Sequence, residues 1–155
     1  MAGYATQEAA RRNRKGGNYL FGAAALHALS IPVGLLLFKF LVEVQIGFSV
    51  TWAELFDALA QTGGMTIVIV GILGQAAFAV VAGLGALLLH RQRIAVAIPM
   101  IVVGVVALVF SLAIFGGLIG LIGGSLSIGG GLTAKPRPPA YPVPPPLGPP
   151  GPPYP

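Results

Sequence analysis

IAVAIPMIVVGVVALVFSLAIFGGLIGLIGGSLSIGGGLTA, residues 94–134, runs for 41 positions without a charged side chain. As one helix at ~1.5 Å per residue it would be ~62 Å long, about twice the ~30 Å hydrocarbon core of a bilayer. Two readings fit that length. In one, a single span ends near Leu118 and a glycine-rich segment trails beyond it. In the other, the chain turns near Phe115-Gly116-Gly117 and returns as a short fourth span.

The flanking charges weigh on the choice. Arg11, Arg12, Arg14 and Lys15 precede the first apolar run, and Arg91 and Arg93 sit in a short polar link. Basic residues beside spans mark the cytoplasmic side. Lys135 and Arg137 follow the last apolar residues. Four spans put them on that same side, with eight of the nine basic residues. Three spans put them outside, against the charge rule. The four-span reading is therefore favoured, with three spans as the alternative, although two spans of about 18 residues and a minimal turn barely fit the stretch.

The rest of the chain reads outward from there. Residues 1–18 are polar and basic, expected to be a poorly ordered cytoplasmic tail. A first span covers about 19–44, with Tyr19 at its entrance, Pro32 as a mid-span kink and Lys39 paired i,i+4 with Glu43, its ammonium snorkelling outward. The apolar run after the basic cluster is too long for a signal peptide and reads as a permanent anchor. A second span covers about 65–89, and the remaining pair about 94–114 and 117–134. The expected fold is all-α, a polytopic bundle of residues 19–134 in the cell membrane. Residues 135–155 hold twelve prolines, which implies an extended, disordered tail.

Composition agrees. The chain is 55% hydrophobic and 8% charged, against about 25% charged in soluble domains. With no cysteine, disulfides, thiolate metal sites and cysteine nucleophiles are excluded. The net charge of +5 reads as a topology signal rather than a nucleic-acid surface, with anionic-lipid contact as an addition.

Between the first two spans, Thr51-Trp52-Ala53-Glu54 fits a capping box with Val50 and Leu55 as a staple. Trp52, Leu55, Phe56 and Leu59 share one face, and Gly63-Gly64 supplies a stop. A short helix over about 52–62 follows. It either lies in the membrane interface, anchored by Trp52, or packs on its own bundle.

Small residues recur every fourth position. Gly116, Gly120 and Gly124 form one stripe, Gly123, Ser127 and Gly131 an adjacent one, and Ala79 and Gly83 a weaker pair. Such stripes let helix backbones approach closely. They serve either a seam with other subunits or packing within one bundle. Polar groups inside spans are few: His27, Ser30 and Gln75. Ser30 and Gln75 fall at similar depth and are expected to bond, fixing the first two spans together. His27 is a candidate for a hydrogen bond to a neighbouring helix. A shared haem with His90 is disfavoured, because the two differ in depth by ~11 Å. No cofactor or metal site is expected. The acids Glu8, Glu43, Glu54 and Asp57 lie outside the span cores without a histidine beside them, so no acid–base catalyst emerges. Pro138, Pro139 and Tyr141 match PPxY, a ligand pattern for polyproline-binding domains.

The long spans, basic link and closing hairpin Gly116-Gly117-Leu118-Ile119-Gly120-Leu121-Ile122-Gly123-Gly124 resemble small prokaryotic tetraspan proteins of unknown function, several with a proline-rich tail. The resemblance covers the layout of residues 65–155. It implies four helices with both termini cytoplasmic, and it brings no activity and no functional residues. The long outer loop with its capped helix is not matched in that group. Two functions follow: a non-enzymatic subunit or scaffold bound to partner subunits or to itself, with a docking tail, or a small oligomeric channel or transporter lined by His27, Ser30 and Gln75.

Overall fold

Mostly small and polar residues, with Leu20 the one large apolar member, fall at alternating four- and three-residue intervals along the first helix: Ala9, Asn13, Gly16, Leu20, Ala23, His27, Ser30. All of them are buried. That 3.5-residue spacing keeps one narrow seam of a helix against its neighbours. The seam belongs to a computed structural model that describes residues 2–113 and 117–136, with side chains from Thr6 onward. Every regular element among these residues is helical: α1 (Ala2–Ile46), α2 (Trp52–Thr62), α3 (Gly64–His90), α4 (Ala97–Ala113, entered through a 3-10 turn at Ile94–Val96) and α5 (Gly117–Thr133).

Three of these helices are long and apolar enough to cross a membrane, within 6–46, 64–90 and 94–113. The fourth apolar helix, α5, has 17 residues, ~26 Å at helical rise. Apart from the start of α1, the helix ends lie within a few residues of the apolar-run ends read from the sequence, an ordinary uncertainty for helix termini. The N-terminal segment is a correction. Residues 2–18 are not a loose tail but continue α1, which runs through Pro32 without interruption. The reason lies in the seam, because Asn13, Gly16 and Gly17 are buried against other elements.

The helices form an antiparallel ring in the order α1, α3, α4, α5. α5 is the closest-packed member, with glycine on two faces. A Cβ on Gly124 would meet the Gly104 carbonyl at 3.0 Å, and one on Gly131 the Ala97 carbonyl at 2.5 Å. On the other face, a Cβ on Gly130 would meet the Gly16 carbonyl at 2.9 Å, and one on Gly123 the His27 ring at 3.0 Å. α3 and α4 instead meet through large side chains: Phe110 covers Gly74, and Met100 covers Gly85. Leu20, Ala86, Leu89 and Met100 form the apolar cluster at the basic end of the ring.

The α4–α5 hairpin ends beside Val33, Gly34 and Leu37, so α1 and α3 project past it and carry α2. There the sequence acts locally. The Glu54 amide donates to Thr51 Oγ1 (3.3 Å), and the Thr51 amide donates to Glu54 Oε2 (2.7 Å). Gly63 closes the helix at φ 76°, a conformation open to glycine.

These contacts rank the glycines. A Leu at position 104 would press on the Gly124 carbonyl and the Ile128 amide, both at 2.8 Å from a Cβ, and backbone atoms cannot swing aside. We expect Gly104→Leu to destabilise the fold by about 2–3 kcal/mol. A Cβ on Gly83 meets only Ala24, at 3.9 Å, so Gly83→Ala should leave stability unchanged or raise it by up to about 1 kcal/mol. Thermal melting of the two variants in detergent checks the ranking.

Candidate functional site

The intramembrane polar residues read from the sequence come together, but not in the expected pairs. The His27 Nδ1–H donates to Gln75 Oε1 at 2.7 Å, and Gln75 Nε2 donates to Ser111 Oγ at 3.1 Å. α1, α3 and α4 are thus stitched in series at one depth, with Gly120 and Gly123 of α5 closing over the layer. The Ser30 hydroxyl instead donates to the His27 carbonyl of its own helix, at 2.7 Å. The expected Ser30–Gln75 bond is therefore corrected: a serine hydroxyl in a helix readily satisfies itself on the preceding turn. Ser111 was not singled out in the sequence. Its signal is the spacing Met100, Gly104, Ala107, Ser111, the buried face of α4.

The layer is buried. His27 and Gln75 have no exposed surface, and Ser111 is 5% exposed. Phe78 lies against the His27 ring at 5.5 Å and meets Phe110 edge-on at 5.4 Å. Two buried polar atoms among the described residues, His27 Nε2 and Ser127 Oγ, have no hydrogen-bond partner. Among the described residues, no three His, Asp or Glu side chains cluster as metal ligands.

A second polar knot ties the basic end. Asn13 Oδ1 accepts from the Lys135 amide at 2.8 Å, while Asn13 Nδ2 donates to Gln92 Oε1 at 2.9 Å and to the Lys135 carbonyl at 3.2 Å. One side chain thus joins α1, the α3–α4 turn and the chain leaving α5. Gln92 sits at φ 61°, an uncommon conformation for a residue with a side chain. Asn13 was not a sequence candidate, because it lay in a segment read as a tail.

At the opposite end, Glu43 gathers the loop. It pairs with Lys39 and accepts from Ser49 Oγ (2.8 Å) and the Val50 amide (3.0 Å). Lys39 also lies over the Trp52 ring at 5.8 Å, and Trp52 stacks on Phe56. Rather than only snorkelling, Lys39 links α1 to α2. Leu55 is buried, and Leu59 lies against Gly64, so α2 leans on its own bundle with Trp52 at the outer side. Tyr19 is half-buried at the mouth of a cleft between α1 and α5.

The small-residue stripes are used inside the chain. Gly120, Gly123, Gly124, Ser127 and Gly131 are all buried. Gly123 faces α1 while Gly131 faces α4, so the second stripe serves two neighbours. Ala79 is half-buried and Gly83 faces α1. Gly116 and the tail residues Pro138, Pro139 and Tyr141 lie outside the described residues. No protein-family model matches the chain, and no curated protein or solved structure matches it.

Two outcomes follow. Asn13→Ala removes three hydrogen bonds at once, so amide exchange should accelerate at residues 90–93 and 134–135 while the His27 layer stays protected. At the cap, the Thr51 amide and then its hydroxyl hold the Glu54 carboxyl below the usual carboxylate range. A carboxyl favoured as the anion in the fold stabilises it above the unfolded pKa and loses that contribution as pH falls through the folded one. Trp52 is the sole tryptophan, so its fluorescence should shift on acidification below that range, and Glu54→Gln should flatten the shift.

Proposed function

We propose that this chain is a non-enzymatic integral membrane protein that crosses the bilayer four times and serves as a small subunit or scaffold of a larger assembly. One observation carries the reading: the bundle is built inside out. Apart from the Leu20, Leu89 and Met100 cluster, Leu55 and Val68, its interior holds glycine, alanine, serine, asparagine, glutamine and histidine, while Leu36, Phe40, Leu73, Ile98, Val109, Leu112 and Leu118 point outward. Such a surface is tolerable in hydrocarbon and costly in water. The return of Lys135 to Asn13 supports an even number of crossings with both basic ends on the cytoplasmic side, the layout implied by the resemblance to small tetraspan proteins.

Because α5 uses its glycines within the chain, partner contact falls to the large outward side chains and to the proline-rich tail, where Pro138, Pro139 and Tyr141 would dock a polyproline-binding partner. The alternative is a small oligomeric channel or transporter, favoured by the polar layer of His27, Gln75 and Ser111. The closed packing of that layer supports the scaffold.

A C-terminal tag should resist protease added to intact cells, whereas digestion from outside would leave three spans. Removing residues 137–155 should release co-purifying chains without lowering the melting temperature. Ion flux in liposomes that disappears with His27→Ala would replace the scaffold by the channel.

A further inference from the structure

Where α5 ends against α1, a cleft of about 710 Å³ opens between the two helices. Arg11, Arg12 and Lys15 line its α1 wall, with Tyr19 one turn further toward the spans, and Gly129, Leu132 and Thr133 line its α5 wall. The one carboxylate present, Glu8, pairs with Arg12 at 2.9 Å and lies 4.0 Å from Lys135. Among the described residues, no carboxylate is within ion-pair distance of Arg11 or Lys15. Lys15 lies over the Tyr19 ring at 5.7 Å, which holds the ammonium beside an aromatic face. Leu132 is 69% exposed. The cleft therefore keeps an excess of two positive charges beside an uncovered apolar wall, at the depth where the helices leave the bilayer.

We propose that this cleft binds an anionic phospholipid. Arg11, Arg12 and Lys15 hold its phosphate, Tyr19 flanks the start of its acyl chains, and the lipid covers the exposed Leu132 on the α5 wall. Arginine and lysine donors match phosphate oxygens, and basic clusters just outside a span attract anionic headgroups. The exposed Leu132 and the Tyr19 ring assign a lipid rather than a free phosphate, which would leave both unused. Gly129 makes the room: a Cβ there meets only Tyr19, at 4.0 Å. The proposal rests on the membrane placement given above.

The test uses the full chain, stripped of lipid in a neutral detergent and titrated with phosphatidylglycerol, phosphatidylcholine or inorganic phosphate, with melting temperature and lipid retention in native mass spectrometry as readouts. Phosphatidylglycerol alone should raise the melting temperature and remain bound. Arg11→Gln with Lys15→Gln should weaken its binding about thirtyfold. Gly129→Leu, which fills the cleft without altering charge, should also abolish retention, and it carries the test if the charge variant fails to fold. Arg91→Gln with Arg93→Gln, on the neighbouring turn, should leave binding intact. Equal responses to the two lipids, equal protection by inorganic phosphate, or equal weakening by the turn variant would overturn the site. Failure of the membrane placement looks different: the chain would stay in solution after ultracentrifugation without detergent.

Discussion

Backbone meets backbone along α5, and the rest of the bundle depends on that approach. Within a bilayer, lipid tails are as apolar as leucine, so association between helices draws on close van der Waals contact and hydrogen bonds rather than on apolar burial. Glycine at 120, 124 and 131 lets α5 touch α4, and glycine at 123 and 130 lets it touch α1. Without side chains on two faces, a helix of only 17 residues becomes the wedge that closes the ring.

That wedge makes room for polar groups that would otherwise be costly. The His27 ring fits against α1's neighbours because Gly123 has no side chain. The chain of bonds from His27 through Gln75 to Ser111 then fixes three helices at one depth. Each such bond is worth only ~0.6 kcal/mol on average between membrane helices. The layer therefore specifies register more than it adds stability. Asn13 has the same role at the basic end, and Glu43 with Lys39 at the other, where α1 hands over to α2.

Much of the architecture was readable because it follows from local rules. The α2 helix was legible from Thr51, Glu54 and Gly63, since caps act within a few residues. Three helices long and apolar enough to cross a membrane were legible from the length of uncharged runs. The N-terminal segment was misread because its charges suggest solvation, whereas the small and amide residues at 9, 13 and 16 continue a buried seam. Ser30 was misassigned because depth along two helices says nothing of which way each side chain faces.

The sequence by itself determined helical class, the presence of long apolar helices, the capped loop helix and the presence of stripes able to bring helices close, all of which depend on composition and spacing along one segment. Only the tertiary structure decided which helix each stripe faces, that His27 rather than Ser30 bonds Gln75, and that Asn13 joins three distant segments. Those outcomes depend on the rotation and register of one helix against another. Many weak contacts set these together, and no residue carries them alone.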